Sequence, residues 1–475
     1  MNEWLRTLPD RHGGRWVIVA LTLIVALGVG LRVYYALEKE NGVEDDSVRY
    51  YFIAQSLYKD HTFDAPQVQN DDAYHPGAPI FHAAVWALTG GVNPKASRVA
   101  AALLSGLMIL FTFLLARRLA WPSDRRDRAP PVAATAAGLI AAFLIAINPS
   151  SIDFYRSLMN EPLASITLVA SVLAFLWADG PPGQRPLTAS PWRWALPGFL
   201  MGVTVMFRPE AIVFGAALAL IAGFRVAHVR DYRFGLEAAG ALLLAMAIAL
   251  VPWTVRNAIT LHKVTPIGEG GGNALFIGTY LPADGDHFKM FDQRQQLMDE
   301  YAVPQSERAQ LPPGYILSDV LELVARQAHP ELEQDKALSV MGREQLKNDI
   351  EHHPVEYAGV LAQKFWNMWG QGSAAKPEQA GPGVFGDWLH RVVALLGLAG
   401  LVLLGIRRRW ESWAVGSVIV LATAIAVVTL APPRRNVDLM PLVSALAAYA
   451  VVVAAGSPGF QRVRGMIADS MTRSL

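Results

Sequence analysis

Three groups of side chains in this sequence could do chemistry, and each lies beside the end of a long apolar run. The first group is acidic. Asp45 and Asp46 stand just past the first such run and are followed by Ser47, Val48, Arg49 and Tyr50. Tyr50, Ile53, Ala54, Leu57 and Tyr58 then recur at helical spacing, giving one apolar, tyrosine-edged face. A helix starting at Asp46 would therefore lie in a membrane interface with its N-terminus toward water. A carboxylate there is a candidate base for a hydroxyl nucleophile; capping of the helix by Asp46 or Ser47 is the plainer alternative. Glu161 is the second acid. It opens a later apolar run in Asn160-Glu161-Pro162, with proline at the favoured first-turn position. It too could be a cap that complements the helix dipole, but an ionisable residue at the end of a span is a functional candidate.

The third group is cationic. Arg208 in Phe207-Arg208-Pro209, Arg256 in Pro252-Trp253-Thr254-Val255-Arg256-Asn257, and Arg434 and Arg435 after Pro432-Pro433 all fall at run ends. A guanidinium offers phosphate a planar, permanently charged fork. Lipid headgroups would also accept such arginines. His75, in Tyr74-His75-Pro76-Gly77, is either a turn residue or a further polar group for the same face.

The elements that must position these residues are membrane helices. The chain is 475 residues long, 53% hydrophobic, 17% charged and free of cysteine. A soluble domain would carry about a quarter charged residues, and apolar runs of about 18 residues or more mark spans. Candidate spans are Trp16–Leu37, Ala96–Ala120, Val132–Ile147, Glu161–Trp177, Trp194–Phe207, Ala211–Phe224, Leu236–Pro252, Trp388–Ile406, Trp413–Leu430 and Val437–Ala455. The first is read as a retained signal anchor, because no small-residue cleavage site follows it. The expectation is about 10 or more transmembrane helices, and the ten spans counted put both termini on one side. The connections on that side hold the arginine clusters, among them Arg117, Arg118, Arg225, Arg230 and Arg407 to Arg409. The bias places both ends in the cytoplasm and the acids and arginines named above on the opposite face.

The expected fold is thus an all-α polytopic membrane protein with interfacial helices in its first outer loop (about 38–95) and a small mixed extracytoplasmic domain. Residues 1–255 would form an N-terminal transmembrane catalytic module, 256–386 the outer domain and 387–475 the C-terminal transmembrane helices. A second interfacial helix is expected from Pro79 through Ile80, Ala83, Ala84, Ala87 and Leu88. Other chemistries find little support. Gly268 to Asn273 lacks the Lys-Ser/Thr of a phosphate loop, His262, His352 and His353 lack metal-ligand spacing, and there is no Gly-x-Ser-x-Gly elbow. The net charge of +1 gives no reason to expect nucleic acid as a partner.

Taken in order, these motifs resemble the GT-C membrane glycosyltransferases, in particular the bacterial protein O-mannosyltransferase and lipid A aminoarabinose transferase group (family-39/83-like). The pattern Asp-x-x-x-Tyr-x-x-x-Ala-x-x-Leu is met by Asp46, Tyr50, Ala54 and Leu57. A Lys/Arg/His-Pro-Pro/Gly turn follows as His75-Pro76-Gly77, then Glu161-Pro162, Arg208-Pro209 and Pro252 to Asn257. The outer segment adds Gly272-Asn273, Gly278, Pro282 to Gly285, His353-Pro354-x-x-Tyr357 and Lys364-Phe365-Trp366, and Arg434-Arg435 completes the order. Many relatives carry Asp-Glu where this chain has Asp46-Ser47, which leaves Asp45 and Asp46 both as candidates for the base, with the spacing to Tyr50 favouring Asp46.

The resemblance implies an inverting transferase that moves a monosaccharide from a polyprenyl-phosphate donor to a hydroxyl acceptor on a protein, glycan or lipid. The active face would be extracytoplasmic, in a bacterial inner membrane. It implies Asp46, Glu161 and Asp45 as catalytic candidates, and Arg49, Tyr50, His75, Arg208, Arg256, Lys364, Arg434 and Arg435 as donor-phosphate or substrate contacts. A divalent cation is compatible with these residues but not required by them. A polytopic transporter or flippase for a lipid-linked or anionic solute is the alternative. It would be expected to hold ionisable residues near mid-membrane, whereas here they gather at the run ends.

Overall fold

The structure, a computed structural model, describes residues 13–38, 46–68, 74–121, 132–180, 190–268, 270–312, 315–372 and 383–456. Asp45, and arginines of the expected cytoplasmic side such as Arg11, Arg125, Arg126, Arg185 and Arg462, lie outside them. Among the described residues every regular element is a helix. In chain order these are α1 (Gly13–Glu38), α2 (Asp46–Lys59), α3 (Gly77–Thr89), α4 (Pro94–Leu119), α5 (Val132–Ala146), α6 (Pro149–Asp153) and α7 (Glu161–Ala178). Then come α8 (Ala195–Val205), α9 (Ala211–Val229), α10 (Tyr232–Thr260), α11 (Gly271–Thr279), α12 (His287–Asp292), α13 (Arg294–Glu300) and α14 (Gln305–Arg308). The series closes with α15 (Leu317–Ala328), α16 (Gln334–His352), α17 (Pro354–Gly370), α18 (Gly383–Ile406), α19 (Glu411–Val428) and α20 (Met440–Ala455).

Among the described residues, eight helices are long and apolar enough to cross a membrane, or nine if the bent pair α5 and α6 counts as one span. This is an integral membrane protein. Two of the expected spans differ from the sequence reading in kind. Val132–Ile147 ends at Ala146 and resumes after a 51° bend as Pro149–Arg156. Trp194–Phe207 becomes the 11-residue α8, entered through a 3-10 turn. Both departures have local causes. Asn148 caps the second piece by accepting from the Ser151 amide at 2.8 Å, and Pro149 takes its first turn. The carbonyls freed at the break go to Arg32, buried inside the bundle, which donates to Ala146 O at 3.0 Å, Ile145 O at 2.8 Å and Ser151 Oγ at 3.0 Å. Arg32 is a charge within a span, which the sequence reading did not single out; it serves helix ends rather than a solute path. Helix α8 in turn is pressed against α10, since a Cβ on Gly198 would meet Leu242 O at 2.1 Å and one on Gly202 would meet Met246 O at 2.6 Å. Small residues four apart let two membrane backbones touch.

One apolar core runs through α4, α5, α7, α8, α9, α10, α18, α19 and α20. A separate core of Phe276, Tyr280, Met290, Leu297, Val320, Leu321, Val324, Leu338 and Met341 belongs to α11–α16, a second helical unit within the segment expected as the outer domain. Helix α10 runs without interruption through Pro252 to Thr260, so Arg256 rides on a membrane helix. Helices α2 and α3 pack on each other between α1 and α4, where the interfacial cradle is expected.

Candidate active site

The site is built where four chain segments meet at one end of the bundle. Glu161 heads α7, and Arg208 lies in the turn between α8 and α9. Glu210 stands at the N-terminal cap position of α9 without a side-chain capping bond, and Arg435 and Asp438 lie in the 3-10 segment leading into α20. His75 comes from the turn before α3. That turn is locked to the Arg208 turn, because the Gly77 amide donates to Met206 O at 2.9 Å. A Cβ at Gly77 would run into the Phe207 ring at 2.4 Å, so His75-Pro76-Gly77 and Phe207-Arg208-Pro209 fit only with glycine there.

Arg208, only 8% exposed, is the hub. It bridges Asp438 Oδ2 at 2.5 Å and Glu161 Oε1 at 3.1 Å. Arg435 pairs with Glu210 Oε1 at 2.7 Å. Arg434 lies close enough to act electrostatically on His75 and Arg435. Three arginines thus face three carboxylates, which leaves the cluster near electroneutral while His75 is uncharged. Burial drives the His75 ring down to about 4, with Glu210 opposing and Arg208, Arg435 and Arg434 adding to the fall, so it is neutral at pH 7. Burial alone would raise the Glu210 carboxyl, but Arg435 and Arg208 overcome it and hold Glu210 at about 2. Burial would lower Arg208, yet Asp438 and Glu161 outweigh it and raise it.

Two carboxylate oxygens, Glu161 Oε2 and Asp438 Oδ1, are buried without a protein partner. Unsatisfied buried charge is costly, so these atoms have valence left for a water or a ligand. A cavity of about 20 Å3, room for a water, is lined by Asp438 but not by Glu161. Its lining has two characters. Thr204, Arg208, Glu210, Arg435 and Asp438 are its polar or charged residues, and Ala164, Leu168, Phe214, Ala422 and Leu439 its apolar ones.

The first loop reaches this cluster through Tyr50. Its hydroxyl accepts from Asn160 Nδ2 at 2.6 Å, one residue before Glu161, and its ring packs edge-on against Tyr74. Arg49 donates to the Tyr74 hydroxyl and lies over the same ring. Asp46 is the first residue of α2, one turn before Tyr50.

Two expected contacts are placed elsewhere. Arg256 stacks over Phe63 at 5.2 Å and Trp253 at 5.0 Å and donates to Asn257 Oδ1 at 3.1 Å. It is not among the residues lining the cavity. Lys364, buried in α17, donates to Gly278 O at 2.5 Å and Thr429 O at 2.7 Å. Burial lowers its ammonium to about 8. The neighbouring motif residues serve the same joint. A Cβ on Gly278 would meet Thr429 O at 2.0 Å, and Gly285, in a left-handed turn, packs under the Lys364 side chain. Gly272 and Asn273 give their amides to Asp335 Oδ1. Lys364, Gly278 and Gly285 fasten this helical unit to the end of α19, whereas the contact of Gly272 and Asn273 with Asp335 lies within the unit, between α11 and α16.

Glu210, Asp438 and Asn160 belong to the cluster although the sequence reading did not choose them. The signal for Asp438 was an acid inside a candidate span and three residues after Arg435; for Glu210 it was an acid directly after Arg208-Pro209. Among the described residues no three His, Asp or Glu side chains converge to hold a metal ion.

No protein-family pattern and no curated protein sequence matches the chain. Solved structures do. The Archaeoglobus fulgidus oligosaccharyltransferase tethered to an acceptor peptide superposes with a TM-score of 0.53 at 14% identity, over 93% of this chain and 50% of that one. The archaeal oligosaccharyltransferase AglB, in complex with an inhibitory peptide and a dolichol-phosphate, gives 0.53 at 15% identity, over 97% of this chain and 52% of that one. ArnT from Cupriavidus metallidurans bound to undecaprenyl phosphate scores 0.39 at 15% identity, too low to carry an argument. The chain spans about half the length of the oligosaccharyltransferases it resembles. At this identity the likeness is one of fold, and the fold is the all-α polytopic GT-C membrane architecture.

Proposed function

We propose that this protein is an inverting glycosyltransferase that moves a monosaccharide from a polyprenyl-phosphate donor to a hydroxyl acceptor on a protein, glycan or lipid. The observation that carries the reading is the cluster at the bundle end, where a cavity with room for a water divides its lining between the charged side chains of Arg208 and Arg435 and apolar ones such as Leu168, Phe214 and Leu439. A lipid phosphate has that same division between charged head and apolar tail. The fold supports the reading in a second way, since AglB is known in complex with a dolichol-phosphate.

In the reaction, Arg435 and Arg208 would meet the donor phosphate, with Arg434 adding positive potential from beside them. The acceptor oxygen attacks the anomeric carbon as the bond from that carbon to the lipid-phosphate oxygen breaks. The departing electron pair stays on the phosphate, and the acceptor proton passes to Asp46. A single displacement inverts the anomeric centre. The lipid phosphate is already a competent leaving group, so the protein's work is positioning and neutralising charge. Glu161 and Asp438 hold the Arg208 fork in one orientation, and Tyr50 ties the Asp46 helix to Asn160 beside Glu161. A divalent cation is not required by these steps. The proposed location is the bacterial inner membrane, with both termini cytoplasmic and the cluster on the extracytoplasmic face.

Deleting the gene and analysing lipid-linked sugars by mass tests the reading and names the donor. A polyprenyl-phosphate monosaccharide should accumulate. An unchanged lipid-linked pool, with the same glycoconjugates still made, would contradict it.

A further inference from the structure

Helix α17 has three faces, and only two of them are accounted for. Tyr357, Val360, Lys364 and Met368 point inward and join the second helical unit to the bundle. Glu356, Gln363 and Asn367 recur at i, i+7 and i+11 and form a polar edge. The third face consists of Val355, Ala358, Ala362, Phe365 and Trp366, at i, i+3, i+7, i+10 and i+11, and it is exposed. Val355 is 85%, Phe365 52% and Trp366 56% exposed. The helix has two charged residues, Glu356 and Lys364, and neither lies on this face. An apolar stripe of this length without a charge is not a water-facing surface.

Its surroundings say what covers it. The C-terminal end of α17 is pinned to the start of the membrane helix α18: Arg391 donates to Gly370 O at 2.7 Å, His390 lies 3.1 Å from Trp369 O, and the Gly372 amide donates to Asp387 Oδ1 at 2.9 Å. Arg391 also lies 5.6 Å over the Trp366 ring. On α18 the exposed residues Trp388, Val392 and Leu395 continue the apolar surface at i, i+4 and i+7. Such a spanning face meets lipid. Tryptophans at its head, with an arginine among them, are the chemistry of a membrane–water boundary.

We infer that α17 is an interfacial helix whose Val355–Trp366 stripe is seated in the lipid headgroup region, so that the second helical unit is anchored to the bilayer along this helix. The polar edge then faces water, and the inward face carries the joint through Lys364. This holds whatever reaction the protein catalyses.

The chain has no cysteine, so single spin labels can be placed directly on the full protein. Ala358→Cys, Ala362→Cys and, as a water-facing control, Lys347→Cys would be labelled with a nitroxide and reconstituted in phosphatidylcholine–phosphatidylglycerol vesicles. Thermal melting confirms folding of each variant, and Phe365→Cys replaces either alanine variant that does not fold. Labels on the stripe should collide with oxygen and be shielded from a water-soluble nickel complex, with an oxygen-to-nickel ratio several-fold above that at 347. Ratios equal to that at 347 would overturn the inference. Shielding from both agents, with an immobilised spectrum, would also overturn it, by showing protein rather than lipid on the stripe.

Discussion

The two ends of the helix bundle each carry a network of buried arginines and acids, and they are built differently. At one end Arg409 grips Glu411 with two bonds of 2.8 and 3.1 Å, and Arg225 grips Asp179 at 3.2 and 3.3 Å while lying over Trp410. Arg118 approaches Glu411 at 3.9 Å, and Arg409 also holds Trp121 O. Positive charge is in excess, and the arginines close helix C-termini, as the macrodipole favours. At the other end Arg208, Arg434 and Arg435 are matched by Glu161, Glu210 and Asp438. Two carboxylate oxygens there, on Glu161 and Asp438, are left without a partner, and Asp438 lines a cavity. Buried atoms without a partner occur at both ends, Arg118 Nε and Nη1 at the first, so what distinguishes the candidate site is unpaired carboxylate oxygens, one of them on the cavity-lining Asp438.

If the comparison is right, substitutions at the two ends should separate activity from stability. Asp46→Asn should give the largest loss of turnover, a hundredfold or more, as for removal of a proton acceptor, with donor binding and melting unchanged. Asp45→Asn as the inactive variant would move the base by one residue. Next, Glu161→Gln should cost on the order of tenfold or more in rate, because it removes a charge from the Arg208 fork. Arg409→Ala at the opposite end should lower the melting temperature and leave the rate per folded molecule unchanged. Wild-type activity in Glu161→Gln would reduce Glu161 to a cap.

Smaller effects sharpen the picture. Arg435→Lys keeps charge but loses the fork, so donor use should weaken by about 1–3 kcal/mol. Arg256→Lys should weaken it less, since Arg256 stacks on Phe63 and Trp253 outside the cavity lining. Acid should act through Glu210. Its folded pKa of about 2 lies below the ordinary 4.5, so its stabilisation is complete above pH 4.5 and is lost as pH falls toward 2. The gap in melting temperature between wild type and Glu210→Gln should therefore close over that window. For sidedness, a cysteine at Ser306 should react with a membrane-impermeant maleimide in intact cells and one at Asp127 should not. The reverse labelling would place the cluster on the cytoplasmic face.

Much of this was legible in the sequence. Apolar run length located the helices, and the ordered motif residues located Glu161, Arg208, His75, Tyr50 and Arg435, because each sits at a run end where a polar side chain needs a reason. Asp438 was less legible because it lies inside an apolar segment and is explained only by Arg208, 230 residues away. Lys364 and Arg256 matched the motif order equally well, yet spacing cannot tell a cation that meets a ligand from one that meets backbone carbonyls or aromatic rings. The bend at Asn148-Pro149 was written locally, but its partner Arg32 comes from another helix, and long-range satisfaction of freed carbonyls leaves no local pattern.

The most direct test of the account is binding of polyprenyl phosphate to the purified protein, followed by native mass spectrometry in detergent. Wild type and Arg409→Ala should retain the lipid equally, while Arg208→Ala and Arg435→Ala should lose it at the same concentration. Equal retention by all four would contradict the account, since the donor phosphate would then be held somewhere other than this cluster.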